Sequence, residues 1–511
     1  MTQASGARRA IVLSGFDLSE TGRAAPHGCE DCSPSVSESL QARTWPALPE
    51  VTNVNHWVRG REVTEIHIGR GHHVLFNPVG SGGAVVVNEP GLGLFRRFAR
   101  PVTLTEARVT GPEPEPDAQH VFDRLSRLGL IHPAGRAQQP QFAEGKLLTA
   151  WLHVTNACNL RCPYCYVHKS AEKMDASIGR ASVEAVIASA VRHGFPAVKL
   201  KYAGGEASLN HRLMIDLHEH ARMLTARHGI QLHATLLSNG VKLSPALIDM
   251  LKTLDIRVMI SLDGIDGQHD LQRPFANGKP SFHHVEHTIS QLIEHGHAPH
   301  LSITITSRNS PGLADAVRFA LDRNLTFSLN FFRDNDCSAQ FPDLQYEEQT
   351  MIANLLEAFG VIEEVLPAWS VLGSILDRGQ LLEPRQRSCG VGQDYVVIDQ
   401  RGRVAKCHME IERTLGDVIR DDPLQLVRKD LALVQNLAVE EKEGCRDCTW
   451  RYWCSGGCSV ATFRATGRYD IKSPNCNIYK AIYPEALKLE GLRILKYARP
   501  GFRVDDASYL L

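Results

Sequence analysis

The sequence carries no excess of either charge: 56 Lys and Arg stand against 57 Asp and Glu, a net of -1. It has no Lys/Arg run either, so the concentrated positive charge that phosphate backbones require is missing and nucleic acid is not expected as the main partner. No stretch approaches the roughly 18 apolar residues that span a bilayer, so no membrane partner is expected. The first apolar patch, after Arg8 and Arg9, is only about four residues long and ends at Ser14, short of the roughly 7 to 15 that a secretory signal needs. The expected location is therefore a reducing cytoplasm, where disulfides are rare. Internal repeats are absent as well. What the chain does have is length, 511 residues, too many for one core. It also has thirteen cysteines, which in that compartment point to metal ligation.

Residues 1–50 lack periodicity and read as a mobile arm, interrupted by Cys29 and Cys32 in "HGCEDC", which read as an incidental pair. Residues 51–136 give short alternating runs, "REVTEIHIG", "HHVLFNP" and "GAVVVNE", then helical patterns. In "AQHVFDRLSRLGLI" Val121, Leu125 and Leu128 share one face and Gly129 supplies a stop. This predicts a winged-helix-like domain with "GPEPEPD" as a loop and with His72 and His73 on its surface. Over 146–335, six strands, "LLTAWLHVT", "AVKLKYA", "QLHATLL", "RVMISLD", "HLSITIT" and "TFSLNFF", alternate with amphipathic helices. That alternation implies parallel pairing with right-handed crossovers that curl the sheet. The expected fold class is α/β, a partial (β/α)6 TIM-like barrel between the winged-helix-like domain and a cysteine-rich C-terminal domain. A helical bridge is expected over 336–388, the cysteine-rich region over 389–480, and a final helix and tail over 481–511.

"ACNLRCPYCYV" places Cys158, Cys162 and Cys165 directly after the first barrel strand. Parallel barrels build their active sites at that end of the strands. Three thiolates on one loop suit three irons of a four-iron four-sulfur cluster and leave the fourth iron open to a substrate or cofactor. A structural zinc is the competing reading, with His168 as its only near fourth ligand.

The cysteine spacing, with Tyr164 between the last two thiols, resembles the signature of the radical S-adenosylmethionine (SAM) superfamily. The resemblance implies that the open iron takes SAM and that electron transfer splits it into methionine and a 5′-deoxyadenosyl radical. It also assigns the loops after the next strands to SAM binding. These are Gly204, Gly205 and Glu206 of "YAGGEASL", Ser238 and Asn239 of "LLSNG", and Ser261, Asp263 and Arg273 of "SLDGIDGQHDLQR". Each motif alone is a common turn. Their value lies in their order behind the cysteines.

Seven later cysteines, at 389, 407, 445, 448, 454, 458 and 476, resemble the SPASM extension of that superfamily, which holds two auxiliary four-iron four-sulfur clusters. The resemblance gives Cys445, Cys448, Cys454 and Cys476 to an outer cluster and Cys389, Cys407 and Cys458 to an inner one. The inner site then lacks one ligand, is read as open or oxygen-ligated, and has Asp394 or His408 as candidates. A zinc ribbon on Cys445 and Cys448 is the alternative. The domain over 51–136 resembles the PqqD-like element that holds a leader peptide along a sheet edge, and packing alone is the competing role. Together these imply a peptide maturase that abstracts hydrogen from a side-chain carbon of a ribosomal precursor to make a thioether or carbon–carbon crosslink. They also imply three clusters, SAM, and a flavodoxin or ferredoxin as electron donor. A sulfatase-type formylglycine maturase and a non-enzymatic iron–sulfur or zinc scaffold are the other readings. Cys337, just after the sixth strand, is the candidate proton or hydrogen carrier, with a buried inert thiol as the alternative.

Overall fold

The computed structural model describes residues 10–19, 56–80, 83–108, 118–142 and 145–498. Six short strands come first: β1 (Val12–Ser14), β2 (Trp57–Arg59), β3 (Thr64–His67), β4 (His72–Phe76), β5 (Ala84–Asn88) and β6 (Ile131–Pro133). An antiparallel sheet runs in the order β1-β5-β4-β3, and β2 pairs with β6. Alternation sorts the sheet's side chains into two cores. Leu75, Val85 and Val87 meet Leu92, Phe95, Val121 and Leu125 of the domain's own helices. Val74, Phe76 and Val86 face the other way into the main core. There the helix Cys476–Ala498 packs so tightly that a β-carbon on Gly491 would stand 2.2 Å from Val74 Cγ2.

Two expectations change here. Residues 12–14, assigned to the arm, are the strand β1, because a buried edge of β5 gives their backbone a partner. His73 is buried rather than exposed, since its ring lies 2.9 Å from a Glu89 carboxylate oxygen and 3.5 Å from one of Glu65. Cys29, Cys32 and "GPEPEPD" lie outside the described residues.

The second sheet holds β7 (Leu147–Thr155), β8 (Ala197–Gly204), β9 (Gln231–Ser238), β10 (Ile256–Ser261), β11 (His300–Ile305) and β12 (Phe327–Phe331), all parallel and in sequential order. The helices Ala176–Arg192, His211–His228, Pro245–Thr253, Phe282–Glu294 and Leu313–Asp322 connect them. Every residue of β7 is buried, as a central strand covered on both faces must be. The sequence pattern placed these six strands to within two residues. It did not show that β13 (Tyr395–Ile398) joins β7 in parallel, or that β14 (Arg403–Ala405) and β15 (Thr414–Asp417) carry the sheet to nine strands. The cysteine-rich region is thus fused to the edge beside the first cysteine loop. The expected bridge is helical over Glu348–Val365, and the final helix begins at Cys476, earlier than its pattern suggested.

Candidate active site

Strand ends from β7 to β12 all reach one cavity of about 220 Å³. Its walls include Trp151 of β7, Ala203 of β8, Leu237 of β9, Met259 of β10, Thr304 of β11 and Asn330 of β12. A flat six-stranded sheet would be roughly 24 Å across, so a single cavity touching all six strands requires the sheet to curl around it.

Cys158, Cys162 and Cys165 line this cavity, together with Tyr164, Gly204, Gly205, Glu206, Ser238, Asn239, Ser261 and Arg273. The glycines hold the cysteine loop. A β-carbon at Gly204 would stand 2.4 Å from the Thr155 carbonyl oxygen, and one at Gly205 would stand 2.5 Å from that of Ala157. The amides of Gly205 and Glu206 donate to those same two carbonyls at 2.7 and 2.8 Å. Glu206 then ties the next loop down. Its carboxylate accepts from the Ser208 amide at 3.1 Å, the Ser238 hydroxyl at 2.9 Å and the Asn239 amide at 2.6 Å.

Asp263, expected among the cavity residues, lies one layer behind it. Its carboxylate accepts from the Tyr164 hydroxyl and from Arg273 Nη1 at 3.3 Å, while its other oxygen accepts from the Thr304 amide at 2.8 Å. Tyr164 also accepts from Arg273. Burial opposes the Arg273 charge, but Tyr164, Cys162 and Asp263 more than restore it. Arg273 Nε has no partner among the described residues.

The donor set fits an iron–sulfur cluster. Burial raises the Cys158 thiol and pushes Cys162 up to about 12, and a bound cationic group would stabilise their thiolate forms. N–H donors already point at two of them. Lys169 Nζ lies 2.9 Å from Cys165 Sγ, and the Leu160 amide lies 3.4 Å from Cys158 Sγ. Such hydrogen bonds stabilise thiolate ligands and tune a cluster's potential. Among the described residues no three His, Cys, Asp or Glu side chains converge as a single-ion site does.

A second, smaller cavity is lined by Cys389, Cys407 and Cys458. Arg378, His408 and Met409 line both cavities. His408 stacks on Trp151 with ring centres 4.5 Å apart and faces the Tyr395 hydroxyl at 2.9 Å. Burial pushes Cys407 up to about 12 and raises Cys389. Burial would raise Cys458 too, but Arg333 and Arg378 bring it below the ordinary thiol value. Asp394 does not reach this cavity: its carboxylate faces Gly145 and Gly390, and burial raises it to about 7. Of the two candidates for the missing ligand, only His408 is at the wall.

Cys445, Cys454 and Cys476 lie close enough for their charges to act on one another, and Cys448 acts on Cys445 and Cys476. Between the two later cysteine sets sits Lys442, buried, with its Nζ 3.1 Å from the Ser455 carbonyl oxygen. Cys337 is not at the cavity. Its sulfur meets the Tyr166 carbonyl at 3.6 Å and the His168 ring nitrogens at 3.6 and 3.7 Å. Arg333, Arg378 and Lys442 went unnoticed in the sequence, where each stands alone and only the fold brings it to the sulfurs. All eleven described cysteines are free.

Residues 152–309 match the Radical SAM superfamily. The chain is 26% identical over 207 residues to the sporulation killing factor maturation protein SkfB of Bacillus subtilis (strain 168), a match covering 38% of this chain and 47% of SkfB. It thus spans about half of that relative's length. With the antilisterial bacteriocin subtilosin biosynthesis protein AlbA of the same organism it shares 23% identity over 394 residues, 71% of this chain and 80% of AlbA. Among solved structures, anSMEcpe with bound AdoMet and the Cp18Cys peptide superposes with a TM-score of 0.55 at 17% identity, over 69% of this chain and 99% of that one. Residues 152–309 therefore form a radical SAM domain, of a family that works with SAM and a four-iron four-sulfur cluster.

Proposed function

We infer that this enzyme modifies a ribosomally made precursor peptide, removing hydrogen from a side-chain carbon and closing a thioether or carbon–carbon crosslink with a net loss of two hydrogens. One observation carries the reading: three thiols of a single loop face a cavity ringed by polar groups from successive strand ends. Cys158, Cys162 and Cys165 would hold a four-iron four-sulfur cluster, and Gly204, Gly205, Ser238, Asn239, Ser261 and Arg273 would hold SAM beside it. When bound, that pair supplies the hydrogen-abstracting radical. Glu206 and Asp263 keep the loops in place. Tyr164 and Arg273 would complete the cavity wall beside the cysteines. Cys389, Cys407 and Cys458 would carry an inner auxiliary cluster with His408 beside it, and Cys445, Cys448, Cys454 and Cys476 an outer one. The domain over 51–136 would hold the peptide's leader, as a PqqD-like element does, and a flavodoxin or ferredoxin would supply the electron. SkfB and AlbA, both named for bacteriocin or killing-factor production, support a peptide substrate.

The test is anaerobic co-expression with a short peptide encoded beside this gene, followed by fragmentation mass spectrometry. A loss of two hydrogens mapped to a pair of side chains is expected. Conversion of one cysteine to an aldehyde would instead favour the formylglycine reading, and an unchanged peptide with no 5′-deoxyadenosine would refute both.

A further inference from the structure

The N-terminal sheet has an edge that the protein fills with its own chain. β5 runs beside β4 on one side, and on the other it pairs antiparallel with β1, Val12 opposite Val87 and Ser14 opposite Val85. The segment then closes into the one-turn helix Gly15–Ser19, which carries Asp17 and Leu18.

The contacts along it are specific. The Ile11 amide donates to Asn88 Oδ1 at 2.9 Å, the same oxygen that caps the helix Glu89–Arg97 through the Gly91 amide at 3.1 Å. Gly91 is glycine for a reason that lies on this segment: a β-carbon there would stand 2.7 Å from the Ile11 carbonyl oxygen. Val12 enters the domain's own core, and Leu18 enters the main core. Asp17 accepts from the Ser14 amide at 2.8 Å and pairs with Arg124 on the helix Ala118–Arg127. Ser14 is fully buried. The β5 edge therefore takes an extended backbone over residues 12–14, and the helix Ala118–Arg127 takes the acid of the turn that follows. Together they read an apolar residue, a small polar one two places on and an acid three further along, while the leucine next to the acid is read by the main core.

Extended peptides join sheets in this way, with main-chain hydrogen bonds giving affinity and alternate side-chain pockets giving selectivity. We propose that residues 11–18 are a built-in competitor: through the strand Val12–Ser14 and the helical turn after it they hold the β5 edge until a peptide that pairs there with the same order of side chains displaces them. The inference rests on the peptide-substrate reading above for what does the displacing. It adds where that peptide binds, which side chains it must carry, and why binding in trans is weakened by a segment in cis. Because the competitor is tethered, its effective concentration is high. Only a peptide of better fit, or one also held at the cavity, removes it.

The probe is a fluorescein-labelled peptide with the sequence of residues 8–20, and the readout is fluorescence anisotropy with the full chain. The unaltered protein should bind it weakly. Asp17→Lys in the protein breaks the cis contact while the probe keeps its own aspartate, and affinity should rise at least tenfold. Adding Arg124→Glu restores an ion pair in cis and removes the probe's partner, so affinity should fall back. A folded Asp17→Lys protein that binds no better than the unaltered one overturns the proposal, as does a double variant that binds as tightly as Asp17→Lys alone. Should Asp17→Lys fail to fold, hydrogen exchange on the unaltered chain decides. With a hundredfold excess of probe, residues 10–19 should lose protection while β5 keeps its own; unchanged protection at 10–19 overturns the proposal. None of these readouts needs turnover. Measuring 5′-deoxyadenosine in parallel therefore separates failure of the competitor strand from failure of the radical chemistry.

Discussion

Two glycines show how differently one methyl group can act. At Gly205 an added β-carbon would stand 2.5 and 2.6 Å from the carbonyl oxygens of Ala157 and Asn156, and both atoms are backbone of the cysteine loop. The loop must move, and the thiols move with it. Gly205→Ala is expected to cut 5′-deoxyadenosine formation at least a hundredfold while circular dichroism stays unchanged. At Gly93, inside the helix Glu89–Arg97, nothing lies within 4 Å of the same position. Gly93→Ala should leave activity intact and add about 0.5 to 1 kcal/mol through helix propensity alone, read as a higher midpoint in urea.

His218 gives the residue-scale pH prediction. It is buried on the helix His211–His228, with its Nε2 3.0 Å from the Leu254 carbonyl oxygen, and burial lowers its pKa from 6.5 to about 4. Between those values the unfolded chain binds a proton that the folded one refuses, so stability falls as pH drops from 6.5 towards 4. The loss is on the order of 3 kcal/mol at most. Melting temperatures measured across that range should drop less steeply in His218→Gln than in the unaltered protein.

Among the elements, β13 does most to unite the molecule, because it pairs with β7 on one side and β14 on the other. Val397 is fully buried there with Trp151 and Cys407 around it. A carboxylate at that position would be buried without a partner. Val397→Asp should cost about 3 kcal/mol or more in chemical unfolding, and should loosen the first cysteine loop and the second cavity together. Strands of this kind are where the sequence was hard to read. The six barrel strands announced themselves by β-branched runs spaced by amphipathic helices, and the loops at their ends by Gly, Ser and Asn. β13 to β15 are three or four residues each, set among Gly, Asp and Arg, and only long-range pairing selects them. β1 was hidden for the same reason. The cysteine sets were legible because ligand spacing is local, whereas Arg333, Arg378 and Lys442 reach the sulfurs only after the chain has folded.

At the scale of the whole molecule, the three cysteine sets differ in what holds them. The first hangs from β7 by one loop. The second is drawn from the loop before β13, the loop after β14 and the residue that caps the helix Ser459–Thr466. The third closes between the loop after Val439–Glu441 and the start of the helix Cys476–Ala498, which also packs on the N-terminal sheet. If each set holds one four-iron cluster, the reconstituted protein should carry roughly twelve irons and as many sulfides per chain. Replacing Cys158, Cys162 and Cys165 with alanine should lower that to roughly eight and abolish 5′-deoxyadenosine formation, because this loop can empty without disturbing the sheet that carries it. Replacing Cys445, Cys448, Cys454 and Cys476 should cost more than its own four irons. Without that cluster Lys442 is a buried cation left with the Ser455 carbonyl and the sulfurs of Cys389 and Cys458, and the final helix loses its anchored end. The expected outcome is a fall to about four irons together with a lower melting temperature. Equal losses of four irons from either replacement would mean that the outer set is no brace for the rest.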